Sequence, residues 1–157
     1  MKTRTSLLLL ALVTLAGCSS PPPRRDVDST ATKTLPAPAG DLVGHPWNWV
    51  ATQTPEELLA PADPSLYTVQ FFADSSTALR ADCNRGRSTF STTADGGLTI
   101  PPGALTRAMC PPGSLDTKYL SQLANTAHWF LRGDTLYIDL RMDSGTMRFA
   151  RGPATSE

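Results

Sequence analysis

Two histidines and three cysteines are all that this chain of 157 residues offers toward metal or thiol chemistry. No C-x-x-C or H-x₃-H spacing accompanies them, and there is no Gly-rich phosphate loop and no cluster of carboxylates. Charge of one sign is missing too. The 14 basic and 14 acidic side chains cancel, and removal of Lys2 and Arg4 with an N-terminal leader leaves 12 against 14, a net −2. A nucleic-acid binder needs a basic face to neutralise phosphates, so that class is excluded. Long apolar runs are absent as well. The longest, Leu7 to Leu15, falls short of the roughly 20 residues that span a bilayer.

What that run does resemble is the core of a secretory signal. Lys2 and Arg4 precede it and small residues follow it. The tetrapeptide Leu15-Ala16-Gly17-Cys18 resembles a bacterial lipobox, which implies a signal peptide over 1–17 and a lipid on Cys18. Two or more acyl chains, at about 0.8 kcal/mol per buried methylene, hold a protein stably on a membrane where one does not. Ser19 follows the cysteine where an aspartate would mark retention at the inner membrane. The resemblance therefore implies the outer membrane, periplasmic face, in a host with two membranes. Residues 18–40 carry the lipidated cysteine and a Pro-, Ser- and Thr-rich stretch with too little apolar surface for a core, expected to be a disordered tether. Arg24 and Arg25 in it could touch anionic headgroups. A domain is expected over 41–151 and a flexible tail over 152–157.

Within the domain, Trp47 and Trp49 fall on one face of a first strand. Gln53–Ser65, with Pro55, Pro61 and Pro64, reads as a loop holding one helical turn at Glu56–Leu59. Leu66–Phe72 and Thr77–Cys83 read as a hairpin around Asp74-Ser75-Ser76, with Leu79, Ala81 and Cys83 inward. Weaker strands follow at Arg87–Thr92, Leu98–Ile100 and Leu105–Cys110, separated by Asp95-Gly96-Gly97 and two Pro-Pro-Gly turns. Ser114 is a good N-cap for a helix whose apolar face is Leu115, Tyr119, Leu120, Leu123 and Ala127. Strands at Trp129–Leu131, Thr135–Leu140 and Thr146–Arg151 complete the chain. The fold class is α+β: a small antiparallel β-rich domain, sheet or partial barrel, with one covering helix.

Secretion leads to an oxidising space, where lipid blocks Cys18 and leaves one pair. Cys83 and Cys110 are therefore expected to form a disulfide. The competing arrangements are a zinc site made with His45 and His128, a cysteine nucleophile with a histidine base, and two reduced core cysteines. Arg80, Arg85, Arg87 and Arg107 could form an anion site, or could be solvated edge charges pairing with Asp82 or Asp95.

In order along the chain stand the tryptophan-led strand, Phe71 before a hairpin, Cys83-Asn84, Thr106-Arg107-Ala108-Met109-Cys110-Pro111, Tyr119-Leu120-x-x-Leu123 and Arg132-Gly133-Asp134-x-Leu136. This series resembles the META domain (HslJ-like) family over about Leu42 to Arg151. Members often have glycine immediately before Cys-Asn, where this chain has Asp82. The resemblance implies a small β-rich fold and envelope or stress-associated roles, with no catalytic residues, metal or cofactor to carry over. The expected function is a lipid-anchored, non-catalytic binding or structural protein, in contact with the membrane and with an envelope protein. The alternatives are a periplasmic inhibitor of an enzyme such as lysozyme, and an uncharacterised hydrolase.

Overall fold

The computed structural model describes residues 39–153. The expected signal segment, Cys18 and its tether through residue 38 lie outside the described residues, as do residues 154–157. Strands β1 (Pro46–Gln53), β2 (Leu58–Leu59), β3 (Tyr67–Phe71), β4 (Ser76–Ala81), β5 (Asn84–Thr89), β6 (Ser91–Thr92), β7 (Leu98–Thr99) and β8 (Ala104–Leu105) precede helix α1 (Asp116–Leu123). Strands β9 (Thr126–Arg132), β10 (Thr135–Leu140) and β11 (Thr146–Arg151) follow it. They form an open sheet in the order β8-β5-β4-β3-β1-β11-β10-β9, with β2 added to β1 and β6 and β7 making a separate hairpin. Every pairing between these strands is antiparallel. The class is the α+β class that the strand pattern and single helix predict.

Period-two alternation builds the inner face. Trp47 and Trp49 of β1, Val69 and Phe71 of β3, Leu136 and Ile138 of β10, and Met147 and Phe149 of β11 are all fully buried. Burial of each such side chain contributes on the order of 1.5–3 kcal/mol. β1 sits between β3 and β11 and so joins the two ends of the domain, with Trp47 opposite Val69 and Trp49 opposite Phe149. Gly152, just past β11, is buried and donates its N–H to the Pro46 carbonyl at 2.8 Å. The register of β1 against β11 shifts between Trp49 and Ala51. That bulge brings Thr52 inward, next in chain to Ala51, and both are buried. Thr52 Oγ1 accepts from the Trp49 indole N–H at 2.9 Å and donates to Gln122 Oε1 at 2.8 Å, fastening helix to sheet.

Helix α1 lies on the inner face, with Tyr119 and Leu123 buried. The Tyr119 ring packs against Trp49, Tyr67 and Phe149 at centroid distances of 5.2, 5.7 and 6.4 Å. Its hydroxyl is buried without a hydrogen-bond partner among the described residues. Burial pushes the Tyr119 phenol well above its ordinary pKa. The folded chain therefore keeps its proton when the unfolded chain loses it, above about pH 10. Stability from this group is complete below pH 10 and falls above it by about 1.4 kcal/mol per pH unit. Tyr119→Phe removes both the orphan hydroxyl and this loss. Urea unfolding should show the variant more stable by about 1 kcal/mol at neutral pH, with the margin widening above pH 10. A destabilised variant with a constant margin would contradict the unpartnered hydroxyl.

Six local expectations are corrected. Glu56–Leu59 forms no helical turn, because Leu58 and Leu59 pair with Gln53 and Thr52 as β2. The helix begins one residue late. Leu115 occupies the cap position, although Ser114 Oγ still accepts the Asp116 N–H at 3.3 Å. Ala127 leaves the helical face for β9, since Thr126 is buried and bonds the Leu98 carbonyl. Arg87–Thr92 is split at Phe90, whose ring turns onto Phe71 at 4.9 Å. Finally, Cys83 does not point inward from a strand, and Leu105–Cys110 does not continue as one. Both changes belong to the site described next.

Candidate functional site

β4 and β5 are joined by a two-residue turn, Asp82-Cys83. Asp82 has φ of +56°, the left-handed region that suits glycine best and aspartate tolerably. The glycine that many META domains carry before Cys-Asn has its physical reason here, and Asp82 fills the same turn. The turn places Cys83 half-buried at the sheet's end, facing Cys110. The two are bonded, with S–S 2.00 Å and Cα–Cα 5.5 Å. The disulfide that the sequence predicts is therefore present, and it ties a turn to a loop rather than strand to strand.

The next residue, Asn84, is 4% exposed and holds that loop with its amide. Its Oδ1 accepts from the Ala108 N–H at 2.8 Å and from Thr106 Oγ1 at 3.1 Å. Its Nδ2 donates to the Ala108 carbonyl at 3.1 Å, with Asp116 Oδ2 and Cys110 Sγ at 3.3 Å. β8 pairs with β5 only as far as Leu105 opposite Gly86, where a β-carbon on Gly86 would overlap the Ala104 carbonyl. The Thr106 N–H makes one more bond, to the Arg85 carbonyl at 2.9 Å. Beyond it the Asn84 side chain occupies the N–H and carbonyl of Ala108, taking the place of a partner strand. This is why Thr106–Cys110 leaves the sheet.

The held loop shows its side chains to solvent. Thr106, Arg107, Ala108 and Met109 are exposed, as are Pro111 and Pro112. Met109 is 99% exposed, although methionine is a residue that folding normally hides. Flexible loops tolerate such side chains without consequence. This one is fixed at both ends by a covalent bond and by an amide clamp.

The four arginines are only partly brought together. Arg80 and Arg85 face each other across β4 and β5, and Arg87 lies two residues along β5. Arg80 donates to the carbonyls of Asp82 and Ser65, each at 3.4 Å. It also helps lower the Asp63 carboxyl, which is held down chiefly by hydrogen bonds from Ser65. Arg87 plays the same minor part for Asp74, lowered mainly by Ser76. The side chains of Arg85 and Arg107 make no hydrogen bond or ion pair among the described residues. The expected pairing of these arginines with Asp82 or Asp95 is not formed: the ion pairs among the described residues are Lys118–Glu57 and Arg151–Asp134.

The four-residue zinc arrangement does not assemble. Cys83 and Cys110 are consumed by their bond, and His45 Nε2 accepts from Arg151 at 2.8 Å. His128 is exposed on β9 opposite Asp139. Among the described residues, no three His, Cys, Asp or Glu side chains converge on a metal position. The disulfide likewise leaves neither cysteine free as a nucleophile. A hollow of about 720 Å³ lies between the β1 end and the β10–β11 turn, lined by Gln53, His128, Asp139, Arg141 and Met142 among others. It is an open groove, and its Asp139 carboxylate already accepts from Thr146 at 2.6 Å.

Asn84 is the site residue that reading for chemistry overlooks. It is visible only as the partner of Cys83 in the Cys-Asn pair, because its contacts lie 22 to 32 residues away.

No curated protein matches this chain. An NMR structure of a protein from Burkholderia xenovorans is similar with a TM-score of 0.61 at 18% identity, covering 83% of this chain and 98% of that one. A crystal structure of a DUF4847 family protein from Bacteroides vulgatus ATCC 8482 has a TM-score of 0.53 at 12% identity, covering 74% and 99%. Identities this low speak for the fold alone. The family evidence is separate and direct: the META domain model matches residues 40–153, the whole of the sheet, helix and clamped loop. The chain belongs to the META domain family.

Proposed function

We propose that this chain is a non-catalytic binding module of the cell envelope, anchored through a lipid on Cys18 and touching a protein partner with the Thr106–Cys110 loop. The observation that carries the reading is a fully exposed Met109 on a loop held by both a disulfide and the Asn84 amide. Holding the backbone of a contact loop in place before binding lowers the ordering entropy of association. The anchor rests on Leu15-Ala16-Gly17-Cys18, and the outer-membrane location on Ser19. Support of the envelope under stress is the role that fits family and address together. A second reading, inhibition of an attacking enzyme such as lysozyme, is favoured by the same loop, since a rigid exposed loop can occupy a cleft.

The test is a photo-crosslinking residue at position 109 in living cells, with the same probe at Arg132 on β9 for comparison. Discrete adducts are expected from 109 and none from 132. In Cys18→Ala, both the adducts and the acyl mass on residue 18 should disappear. A chain that is never acylated, or crosslinks that do not depend on position, would overturn the reading. Loss of lysozyme activity on addition of the mature chain would select the inhibitor reading instead.

A further inference from the structure

We infer that the partner surface is a protein slot of apolar lining rimmed by carboxylates, in which Met109 fills the slot while Arg85 and Arg107 meet the acids. The inference rests on the binding-module reading and adds the chemistry of what is bound. Arg107 stands two residues before Met109, and the Arg85 backbone carries the loop through the bond from Thr106. Both guanidinium groups are exposed and without a hydrogen-bond or ion-pair partner among the described residues, in contrast to Arg80, which donates to the Ser65 carbonyl. Methionine and arginine are enriched where proteins meet, and arginine recurs among the residues that dominate binding energy. A guanidinium presents a planar fork that matches a carboxylate with two hydrogen bonds.

An anionic membrane is the competing surface, and two observations weigh against it. Asp82 stands in the turn and Asp116 beside the Asn84 amide, while Asp63 and Asp74 feel the charges of Arg80 and Arg87, so the four arginines of this region are matched by four acids. A diffuse layer of lipid phosphates gains little from a face so nearly neutral. Carboxylates placed opposite individual guanidinium groups gain from each. Met109 is also a single apolar tip, without the tryptophan or phenylalanine that seats a loop at the lipid interface.

The test uses the mature chain with Cys18→Ser, which keeps the whole described domain and removes the lipid. Immobilised, it is offered a displayed library of random constrained peptides. Enriched peptides should carry apolar residues flanked by Asp or Glu. Arg85→Glu with Arg107→Glu should weaken their binding by more than tenfold, and Met109→Ser by about tenfold. Arg132→Glu should leave it unchanged. All these positions are exposed, and an unchanged melting temperature confirms folding. Peptides that need Met109 but show no acidic preference would overturn this inference and leave the binding reading standing. No enrichment, or enrichment indifferent to all three positions, would overturn both. Charge-dependent binding to vesicles of anionic phospholipid would replace the protein slot with a membrane.

Discussion

With Cys83 and Cys110 both changed to serine, the domain is expected to lose about 3.5 kcal/mol of stability by the loop-entropy estimate. The cystine spans 27 positions of sequence. Closing a loop of that length removes many conformations from the unfolded chain, so the stabilisation acts on the denatured state. For a domain of this size the loss corresponds to a fall in melting temperature of roughly 10–20 °C. Against the 5–15 kcal/mol typical of a whole domain, that is a large fraction. Thermal unfolding with and without reductant is the measurement. The native protein should fall to the temperature of the double serine variant when reduced, and the variant should not respond. Equal melting temperatures would mean that the unfolded chain keeps these segments together without the bond. The bond from the Ala108 N–H to Asn84 Oδ1, which involves neither sulfur, should keep that N–H protected from exchange in the variant.

Trp49→Ala should cost about 3–5 kcal/mol, the range found when a large buried aromatic is truncated. The Trp49 ring lies 5.2 Å from Tyr119 and 5.6 Å from Tyr67, so its loss opens a cavity between sheet and helix. Its indole N–H also anchors Thr52, which in turn bonds Gln122 of the helix. Trp49→Phe keeps most of the packing but leaves the Thr52 hydroxyl short of a donor, and should cost about 2 kcal/mol. Urea midpoints for the three proteins should therefore fall in the order wild type, phenylalanine, alanine. If phenylalanine costs as much as alanine, the hydrogen-bond relay rather than ring volume holds the helix. If alanine costs under about 1 kcal/mol, the sheet closes over the gap and Trp49 is not central to the core.

Trp47 and Trp49 could be placed from sequence because a period of two survives any arrangement of neighbouring strands. The Thr135–Leu140 and Thr146–Arg151 strands were legible for the same reason, and the disulfide followed from the oxidising space that the expected leader implies. Leu58-Leu59 was not legible. Local preference there favours a helical turn, and the decision belongs to β1, which lends the pair its free edge. Thr106–Cys110 reads as a strand until the Asn84 amide, 24 residues away, takes the bonds that a neighbouring strand would make. Asp82 was equally opaque, since a left-handed residue that is not glycine leaves no composition signal. The candidate site is thus legible in its cysteines and its arginines. It is illegible in the clamp that turns them into a surface.

An open sheet has two outer strands, and each is a template on which another copy could grow. On one side β8 is two residues long, between Pro101-Pro102 and Pro111-Pro112, residues that cannot donate to a ladder. On the other, the hairpin of β6 and β7 lies along β9: Gly97 bridges His128, Gly96 accepts from Trp129, and Leu98 accepts from Thr126. On the anchor proposed above, chains would be crowded onto two dimensions and would meet one another far more often than chains in solution. Among the described residues such encounters would find no long run of unpaired backbone to extend, so crowding would favour meetings through side chains over fibril-like stacking of sheets.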